Sequence, residues 1–425
     1  MSDTIVALSS GSPPAAIGVI RISGPRASNV ALSIAGRLPD ARRASLAVLR
    51  DGDGVELDSA LILWFPGPNT ATGEDLLEFH CHGGRAVIAA VEKAITALDG
   101  VRLAQAGEFT RRAFANGRID LAEAEGLADL LNAETELQRA AAMASASGAL
   151  SEKVSNWRDE VLRLSAQLEA ALDFSDEDDV EELPDGFTWN TKALADELAM
   201  WLERPRSEKL GEGYRIALAG PPNAGKSTLF NALVESEAAI TSPIAGTTRD
   251  VIERNVAVEG VPLSFVDTAG LREGTDDAIE SVGIARAQAE LDKADCVLWL
   301  GPEGQGPEGA WEIASQSDAE GFLGKSAARH TVSAVTGAGL DDLKHALLSE
   351  ARQSLPKPGE TALNARQHGL VSQAHAALSS ALNLSDLLLI AEELRRCRSA
   401  FDSLIGRSTT EDMLDALFGR FCIGK

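Results

Sequence analysis

Apolar residues recur along this chain with two different periods, and the switches between them outline its organisation. In residues 1–117, short apolar runs at Ala16–Ile22, Leu61–Phe65 and Leu76–His82 predict strands, and the pattern over Ala86–Leu98 predicts a helix. Together they imply a compact α+β domain. From Asp120 to about Arg204 the sequence is rich in Ala, Leu and Glu, and its apolar positions repeat near 3.6 residues, as in helices. An acidic run, Asp173–Glu182, interrupts this pattern and reads as a solvated loop. From about Gly211 to Arg352, strand and helix patterns alternate, which implies an α/β domain. Pro356-Lys357-Pro358-Gly359 marks a boundary, and residues 360–425 return to helix. The expected division is residues 1–117, then an α/β domain at 211–355 inserted between helical segments 118–210 and 356–425 that pack together. No internal repeat is visible.

At 425 residues the chain is long enough for roughly three domains. No apolar stretch approaches the ~20 residues of a membrane span, and Met1–Ser10 lacks a basic segment and cleavage site. Cys81, Cys296, Cys397 and Cys422 show no C-x-x-C spacing. That suits a reduced cytoplasm and argues against a disulfide scaffold or zinc site. A net charge of -25 gives no global attraction to nucleic acid, and 4% aromatic residues make a poor base-stacking platform. RNA contact would need a partner or a local patch such as Arg395, Arg396, Arg398, Arg407 and Arg420, which equally fits a solvated helix face.

The strongest chemical signal is local. Tyr214–Ala219 has the pattern of a short buried strand and Lys226–Val234 that of a helix. Between them, Gly220-Pro221-Pro222-Asn223-Ala224-Gly225-Lys226-Ser227-Thr228 fits G-x-x-x-x-G-K-[ST] without a gap. Strand, loop and helix in that order turn backbone N–H groups toward phosphate oxygens. Lys226 would reach the β- and γ-phosphates, and the Ser227 hydroxyl would ligate Mg²⁺. Downstream, Phe265-Val266-Asp267-Thr268-Ala269-Gly270 ends a strand on D-x-x-G. Asp267 would hold Mg²⁺ through water, and the Gly270 N–H would sense the γ-phosphate. The intervening sequence has room for a helix, a loop and a hairpin turning at Glu259-Gly260. In the loop, Ile244-Ala245-Gly246-Thr247-Thr248-Arg249-Asp250 offers two threonines that can close over Mg²⁺, and spacing does not choose between them.

Two departures matter. Leu271 follows Gly270, where a small GTPase carries a water-orienting glutamine. Leucine cannot orient water, so hydrolysis must draw on another residue, a metal ion or a partner. Glu280 and Asp277 are the nearest acidic candidates, although each also fits a solvated helix start. The second departure is at the base. An N-K-x-D box reads guanine through its Asp; here the stretch is Ser315-Gln316-Ser317-Asp318. Ser315 can replace part of the Asn, and the Gln316 stem can cover the base without a charge. Ser333-Ala334-Val335, after the strand His330–Val332, fits the backbone base contact. Guanine remains the expected base, with weaker affinity or discrimination than a full box gives.

Further motifs run the length of the chain: Gly18-Val19-Ile20-Arg21-Ile22-Ser23-Gly24, Thr72-Gly73-Glu74-Asp75, His82-Gly83-Gly84, Gly107-Glu108-Phe109-Thr110-Arg111-Arg112-Ala113-Phe114, Asn116-Gly117-Arg118-Ile119-Asp120-Leu121, and Phe421-Cys422-Ile423-Gly424-Lys425 at the end. With the P-loop and I-A-G-T-T-R-D, they make the chain resemble the tRNA modification GTPase family MnmE, also called TrmE. The resemblance implies a multidomain α/β and α+β protein. Its P-loop G domain is inserted in a helical domain, behind an N-terminal dimerisation domain that binds 5-formyltetrahydrofolate. It implies GTP bound by Asn223, Ala224, Gly225, Lys226, Ser227 and Thr228, by Ser242, Pro243, Ile244, Ala245, Gly246, Thr247 and Thr248, by Asp267, Thr268, Ala269 and Gly270, and by Asp318, Ser333, Ala334 and Val335. K⁺ would sit at Asn223, Ser242, Ile244 and Thr247 and offset developing charge as an arginine finger does, leaving Thr248 beside Ser227 for Mg²⁺.

Glu280, in Glu280-Ser281-Val282-Gly283, matches the family's catalytic glutamate, with Asp277 the second candidate, and Thr248, Arg249 and Cys422 join the catalytic set. Folate contacts would fall on Arg21, Glu78, Arg118 and Lys425. Ordinary salt bridging also explains such charges. His80 and His82 share a strand face but lack further metal ligands. The implied function is that of a cytoplasmic homodimeric GTPase working on tRNA with the flavoprotein MnmG, which carries the FAD, to add an aminomethyl-type group to carbon 5 of wobble uridine. A GTP-binding assembly or ribosome-maturation switch fits the G domain equally, but needs neither the N-terminal motifs nor the C-I-G-K end. A folate protein with a vestigial nucleotide domain is the third reading.

Overall fold

The computed structural model describes residues 3–174, 183, 185–235, 238–239, 252–267, 288–408 and 410–424. The elements up to the P-loop strand are β1 (Thr4–Leu8), β2 (Ile17–Ser23), α1 (Ala27–Ala35), β3 (Ser45–Arg50), β4 (Glu56–Phe65), β5 (Leu76–His82), α2 (Arg85–Thr96), β6 (Val101–Leu103), α3 (Glu108–Ala115), α4 (Leu121–Leu131), α5 (Glu136–Ala146), α6 (Ala149–Phe174), α7 (Phe187–Leu202), α8 (Glu208–Glu212) and β7 (Tyr214–Ala219). There follow α9 (Lys226–Val234), β8 (Ala238–Ala239), β9 (Ile252–Val258), β10 (Val261–Asp267), β11 (Cys296–Trp299), β12 (Trp311–Ala314), β13 (His330–Thr331), α10 (Leu340–Ser354), α11 (Ala365–Ala381), α12 (Leu387–Leu404) and α13 (Glu411–Phe418). They gather into two units, one of residues 1–128, 151–155 and 401–425, the other of 129–150 and 156–400.

The first unit is built on a sheet of order β3-β4-β5-β2-β1-β6. Its pairs are antiparallel except β1 with β6. Successive side chains on a strand point to opposite faces. Leu77, Phe79 and Cys81 of β5, with Ile20 and Ile22 of β2 and Ile62 of β4, therefore face Val30 and Ile34 of α1 and Ile88, Val91 and Ile95 of α2. The alternate residues line the other face. There the register sets Leu46, Leu61, His80 and Val19 in one row across four strands. Leu46 remains 64% and Leu61 45% exposed. Beyond β2 the same face is covered, because Ile5 and Ala7 of β1 pack on Ala104 and Phe109.

The C-terminal segment belongs to this unit. Leu414, Phe418 and Phe421 pack with Leu121, Ala124 and Phe114. Ile423 pairs with Ala106 as a β-bridge, and Ser9 Oγ donates to the Gly424 carbonyl at 2.8 Å.

The second unit holds a sheet of order β13-β12-β11-β7-β10-β9-β8. Strands β13 through β10 are parallel, and β9 and β8 turn antiparallel. The β9–β10 hairpin turns at Glu259-Gly260, as its sequence predicts, with both φ angles positive at 48° and 77°. A two-residue turn of that kind matches the natural twist of the strands. Leu137 and Ala141 of α5 enter the core of this sheet, and the Leu137 N–H donates to the Gly260 carbonyl at 3.2 Å. Elsewhere in the unit α7 packs on α11, burying Leu194, Leu198, Val371 and Leu378.

Two glycines of similar conformation separate packing from backbone strain. A Cβ at Gly107 (φ 68°) would lie 2.2 Å from the Phe418 carbonyl oxygen, whereas one at Gly117 (φ 66°) would meet nothing within 4 Å. Gly117→Ala should cost only the left-handed penalty of about 1 kcal/mol. Gly107→Ala should cost roughly 2–3 kcal/mol more, because α3 and α13 must part. Thermal melts of the two full-length variants compare them; equal melting temperatures would contradict the tight α3–α13 contact.

Candidate functional site

The P-loop leaves the C-terminal end of β7, the strand flanked by parallel β10 and β11. That edge of an open α/β sheet is where ligands bind. The loop is made by left-handed positions: Gly220 at φ 149°, Asn223 at 62° and Gly225 at 86°. Asn tolerates this conformation better than most residues. Lys226 is 6% exposed, and its Nζ donates to the Gly220 and Pro221 carbonyls at 2.9 and 2.8 Å. Ser227 Oγ donates to Asp267 Oδ2 at 2.7 Å, and Asp267 is itself buried. Because β10 runs parallel to β7 with Asp267 beside Leu218, the D-x-x-G carboxylate arrives next to the first turn of α9. A hydroxyl and a carboxylate are hard oxygen donors that suit Mg²⁺ shared with phosphates.

The far side of the P-loop is bordered by β12, β13 and the loops after them. Ser315 Oγ donates to the Ala224 carbonyl at 2.8 Å, and Gln316 Nε2 to the Asn223 carbonyl at 3.3 Å. Ser333 Oγ donates to Asp318 Oδ1 at 2.5 Å. A cavity of about 320 Å³ opens between them, lined by Gly225, Thr228, Gln316, Asp318, Ala334 and Val335 among others. Of the expected box and backbone-contact residues, Ser315, Gln316, Asp318, Ala334 and Val335 thus border the cavity beside the P-loop.

A second polar cluster lies in the first unit. Arg21 Nε and Nη2 donate to Glu78 Oε1 at 3.0 and 2.9 Å across the β2–β5 pair, and His80 Nε2 lies 3.2 Å from Glu78 Oε2. His82 bonds Asp58 at 2.7 Å, so the two histidines serve separate carboxylates. Among the described residues no group of three or more His, Cys, Asp or Glu is placed to hold a metal. Arg118 is exposed, and a Cβ at Gly73 would lie 3.2 Å from its Cγ, which sets it against the Thr72-Gly73-Glu74 turn. Cys422 is exposed rather than buried. Burial pushes the Cys81 and Cys296 thiols up to about 12, so neither is a thiolate near neutral pH.

Comparison with known proteins matches residues 4–118 to the model of the GTP-binding protein TrmE N-terminus, and residues 121–422 to that of the MnmE helical domain. The tRNA modification GTPase MnmE of Erythrobacter litoralis is 64% identical over 423 residues, covering 100% of both chains. That of Novosphingobium aromaticivorans is 60% identical, again over 100% of both. The chain belongs to the MnmE family of tRNA modification GTPases. Among solved structures, Aquifex aeolicus Era bound to GDP.AlF4- covers 38% of this chain and 66% of its own at 24% identity, with a TM-score of 0.24 that is too low to argue from.

As an MnmE-family GTPase the chain carries its P-loop, Asp267 and Asp318 in a P-loop domain of the expected kind. Several expected site residues lie outside the described residues: Ser242, Pro243, Ile244, Ala245, Gly246, Thr247, Thr248, Arg249, Thr268, Ala269, Gly270, Leu271, Asp277, Glu280 and Lys425. A further set of residues gathers around the Thr72-Gly73-Glu74-Asp75 turn. Ser23 Oγ lies 2.7 Å from Thr72 Oγ1 and donates to Glu74 Oε2 at 2.9 Å. Asn116 Nδ2 donates to the Thr72 carbonyl at 2.7 Å. Arg112, fully buried, donates to Glu74 Oε2 at 3.0 Å, to Asp3 Oδ1 at 3.0 Å and to Glu108 Oε1 at 3.1 Å. The T-G-E-D and G-E-F-T-R-R strings were the available signal, but nothing local says that they meet. Of the arginines considered for RNA, Arg395 and Arg396 pair with Glu392 and Glu393 one turn away.

Burial pushes the Glu108 carboxyl up, but hydrogen bonds from Arg102, the Gln105 N–H and Arg112 outweigh it and hold it below the usual range. A group with a depressed folded pKa stabilises above its unfolded value, and that contribution is lost as pH falls through the folded one. Melts of the full chain should therefore show the N-terminal unit losing stability below about pH 4, and Glu108→Gln should flatten that loss. Arg112→Met, which strands buried carboxylates, should cost about 3 kcal/mol at pH 7. Parallel acid profiles for wild type and Glu108→Gln would deny the cluster this role.

Proposed function

We propose that the chain hydrolyses GTP in order to drive, with a flavoprotein partner of the MnmG type, addition of a carboxymethylaminomethyl or aminomethyl group to carbon 5 of the wobble uridine in certain tRNAs. The observation that carries the nucleotide half is the joining of Ser227 to Asp267 beside buried Lys226, with the Asp318 cavity at the other end of the same loop. Together they fit a nucleoside triphosphate with its phosphates on the α9 N-terminus and its base against Asp318.

In this reading the P-loop amides and Lys226 bind the phosphates and draw charge from the bridging oxygens. Ser227 and Thr248 would hold Mg²⁺, with Asp267 reaching it through water, and the ion would neutralise charge on the leaving phosphate. Asn223, with Ser242, Ile244 and Thr247, would hold K⁺ when two G domains pair. Asn223 is left-handed within the P-loop, at φ 62°. Glu280 orients the attacking water in place of the glutamine that Leu271 replaces, Arg249 supports the closed loop, and Asp277 is the second candidate for the water.

The N-terminal half of the reading rests on the open sheet face. Exposed Leu46 and Leu61, in one row with His80 and the half-buried Val19, give it the surface that a homodimer would cover. The Arg21–Glu78 pair shares that face, at the edge of the part covered by Phe109. Arg21, Glu78, Arg118 and Lys425 would receive 5-formyltetrahydrofolate, arginine and lysine meeting its carboxylates and Glu78 its amino groups. Cys422 would sit near that donor, and FAD would stay on the partner. No helix among the described residues is long and apolar enough to cross a membrane, which accords with work in the cytoplasm. A GTP-dependent assembly switch accounts for the second unit but leaves this face and the docked C-terminus without a use.

GTP turnover should rise at least about tenfold when potassium replaces sodium at equal ionic strength, and Glu280→Ala should lower kcat roughly 100-fold while nucleotide affinity holds. Turnover indifferent to the cation would remove the potassium mechanism. Deleting the gene should strip the carbon-5 group from wobble uridines when tRNA is examined by mass spectrometry; an intact modification would reject the proposal.

A further inference from the structure

His80 is a titratable side chain that the nucleotide chemistry does not use, and it stands inside the open face of the first sheet. Its row across four strands is Leu46, Leu61, His80 and Val19. Val48 and Ile17, one alternation further along β3 and β2, are 38% and 58% exposed and widen the apolar surface around it. His80 keeps 29% of its side chain exposed, and its Nε2 lies 3.2 Å from Glu78 Oε2. That carboxylate is already matched, because Arg21 gives two hydrogen bonds to its other oxygen. The charged groups next along the face are paired with one another. His82 bonds Asp58, Arg50 pairs with Glu56, and Arg112 holds Glu74 and Glu108. A proton on His80 therefore brings a net positive charge to a mostly apolar surface.

We propose that His80 makes the homodimer pH-sensitive: the face closes on a second copy while the imidazole is neutral and releases it when the ring takes up a proton. The inference rests on the homodimer reading above. In twofold pairing each copy presents the same patch, so two histidines lose water together. Covering a charged imidazole among leucine and valine side chains is costly, and one carboxylate shared with Arg21 offsets only part of that cost. Association therefore favours the neutral ring. Histidine ordinarily titrates near pH 6.5, so the dimer is favoured above about that value and weakens as pH falls through it. The Glu108 cluster responds only below about pH 4, so the two acid responses fall in separate ranges.

The test is fluorescence-detected sedimentation of the full-length chain, without nucleotide, at about pH 7.5 and about pH 5.5. The dissociation constant of the wild-type dimer should rise roughly 100-fold at the lower pH, about tenfold for each histidine. His80→Gln keeps an N–H donor for Glu78 but takes no charge, so its constant should change less than about threefold. His80→Lys should pair weakly at both values, and His82→Gln should follow wild type. Leu61→Asp should weaken the dimer at both. A wild-type constant that ignores pH, a His80→Gln constant that rises as much as the wild-type one, or loss of the response in His82→Gln would overturn the switch and leave the homodimer standing. Leu61→Asp pairing as tightly as wild type would overturn the homodimer reading of this face and the switch with it.

Discussion

In the second unit the P-loop helix is tied to the neighbouring strand by a hydrogen bond from Ser227 Oγ to Asp267 Oδ2, which the parallel pairing of β7 and β10 makes possible. The pairing sets Asp267 level with Leu218, so the end of one strand meets the loop leaving the other. A buried lysine next to this pair must be matched by acceptors. The Gly220 and Pro221 carbonyls supply them, and phosphate oxygens on the same side of the loop would supply stronger ones. From that point outward, β12 and β13 lie alongside, and Ser315 and Gln316 reach back to the P-loop.

The first unit solves a comparable problem with more charge. Arg112 is a fully buried cation surrounded by Asp3, Glu74 and Glu108, and through Glu74 it reaches Ser23 and the Thr72 turn. Burying such a group is costly unless its hydrogen bonds are met, so the network fixes where β1, the T-G-E-D turn and α3 lie relative to one another. The open face of the same sheet is left apolar, with Arg21 and Glu78 as its charged pair.

Within the second unit, α5 and α8 both pack on the sheet that carries the P-loop. The N-terminal N–H of α5 at Leu137 meets the Gly260 turn, and Gln138, which also completes the Thr135 capping box, donates to the Leu210 carbonyl at 2.7 Å. Strand β10 therefore carries Asp267 at its nucleotide end and a helix contact at its other end.

Much of this was legible from local pattern. Strand β7 and helix α9 span the residues their apolar spacing marks, and the hairpin turns at Glu259-Gly260. The P-loop was readable because its chemistry sits within nine consecutive residues, where spacing alone fixes geometry. The helical period could not show that α5 joins the α/β core, since an amphipathic helix announces that it has a partner but not which one. Nor could it show that Cys422 is exposed or that the C-terminal segment returns to β1 and α3. The ties from Ser315 and Gln316 to the P-loop span 91 and 93 residues, and those from Arg112 to Asp3 and Glu74 span 109 and 38. Sequence by itself determined the elements and the phosphate-binding loop, because dihedral preference and side-chain period act between near neighbours. The tertiary structure alone decided which distant hydroxyls, amides and charges meet, because that depends on strand order and register, which no short window of residues contains.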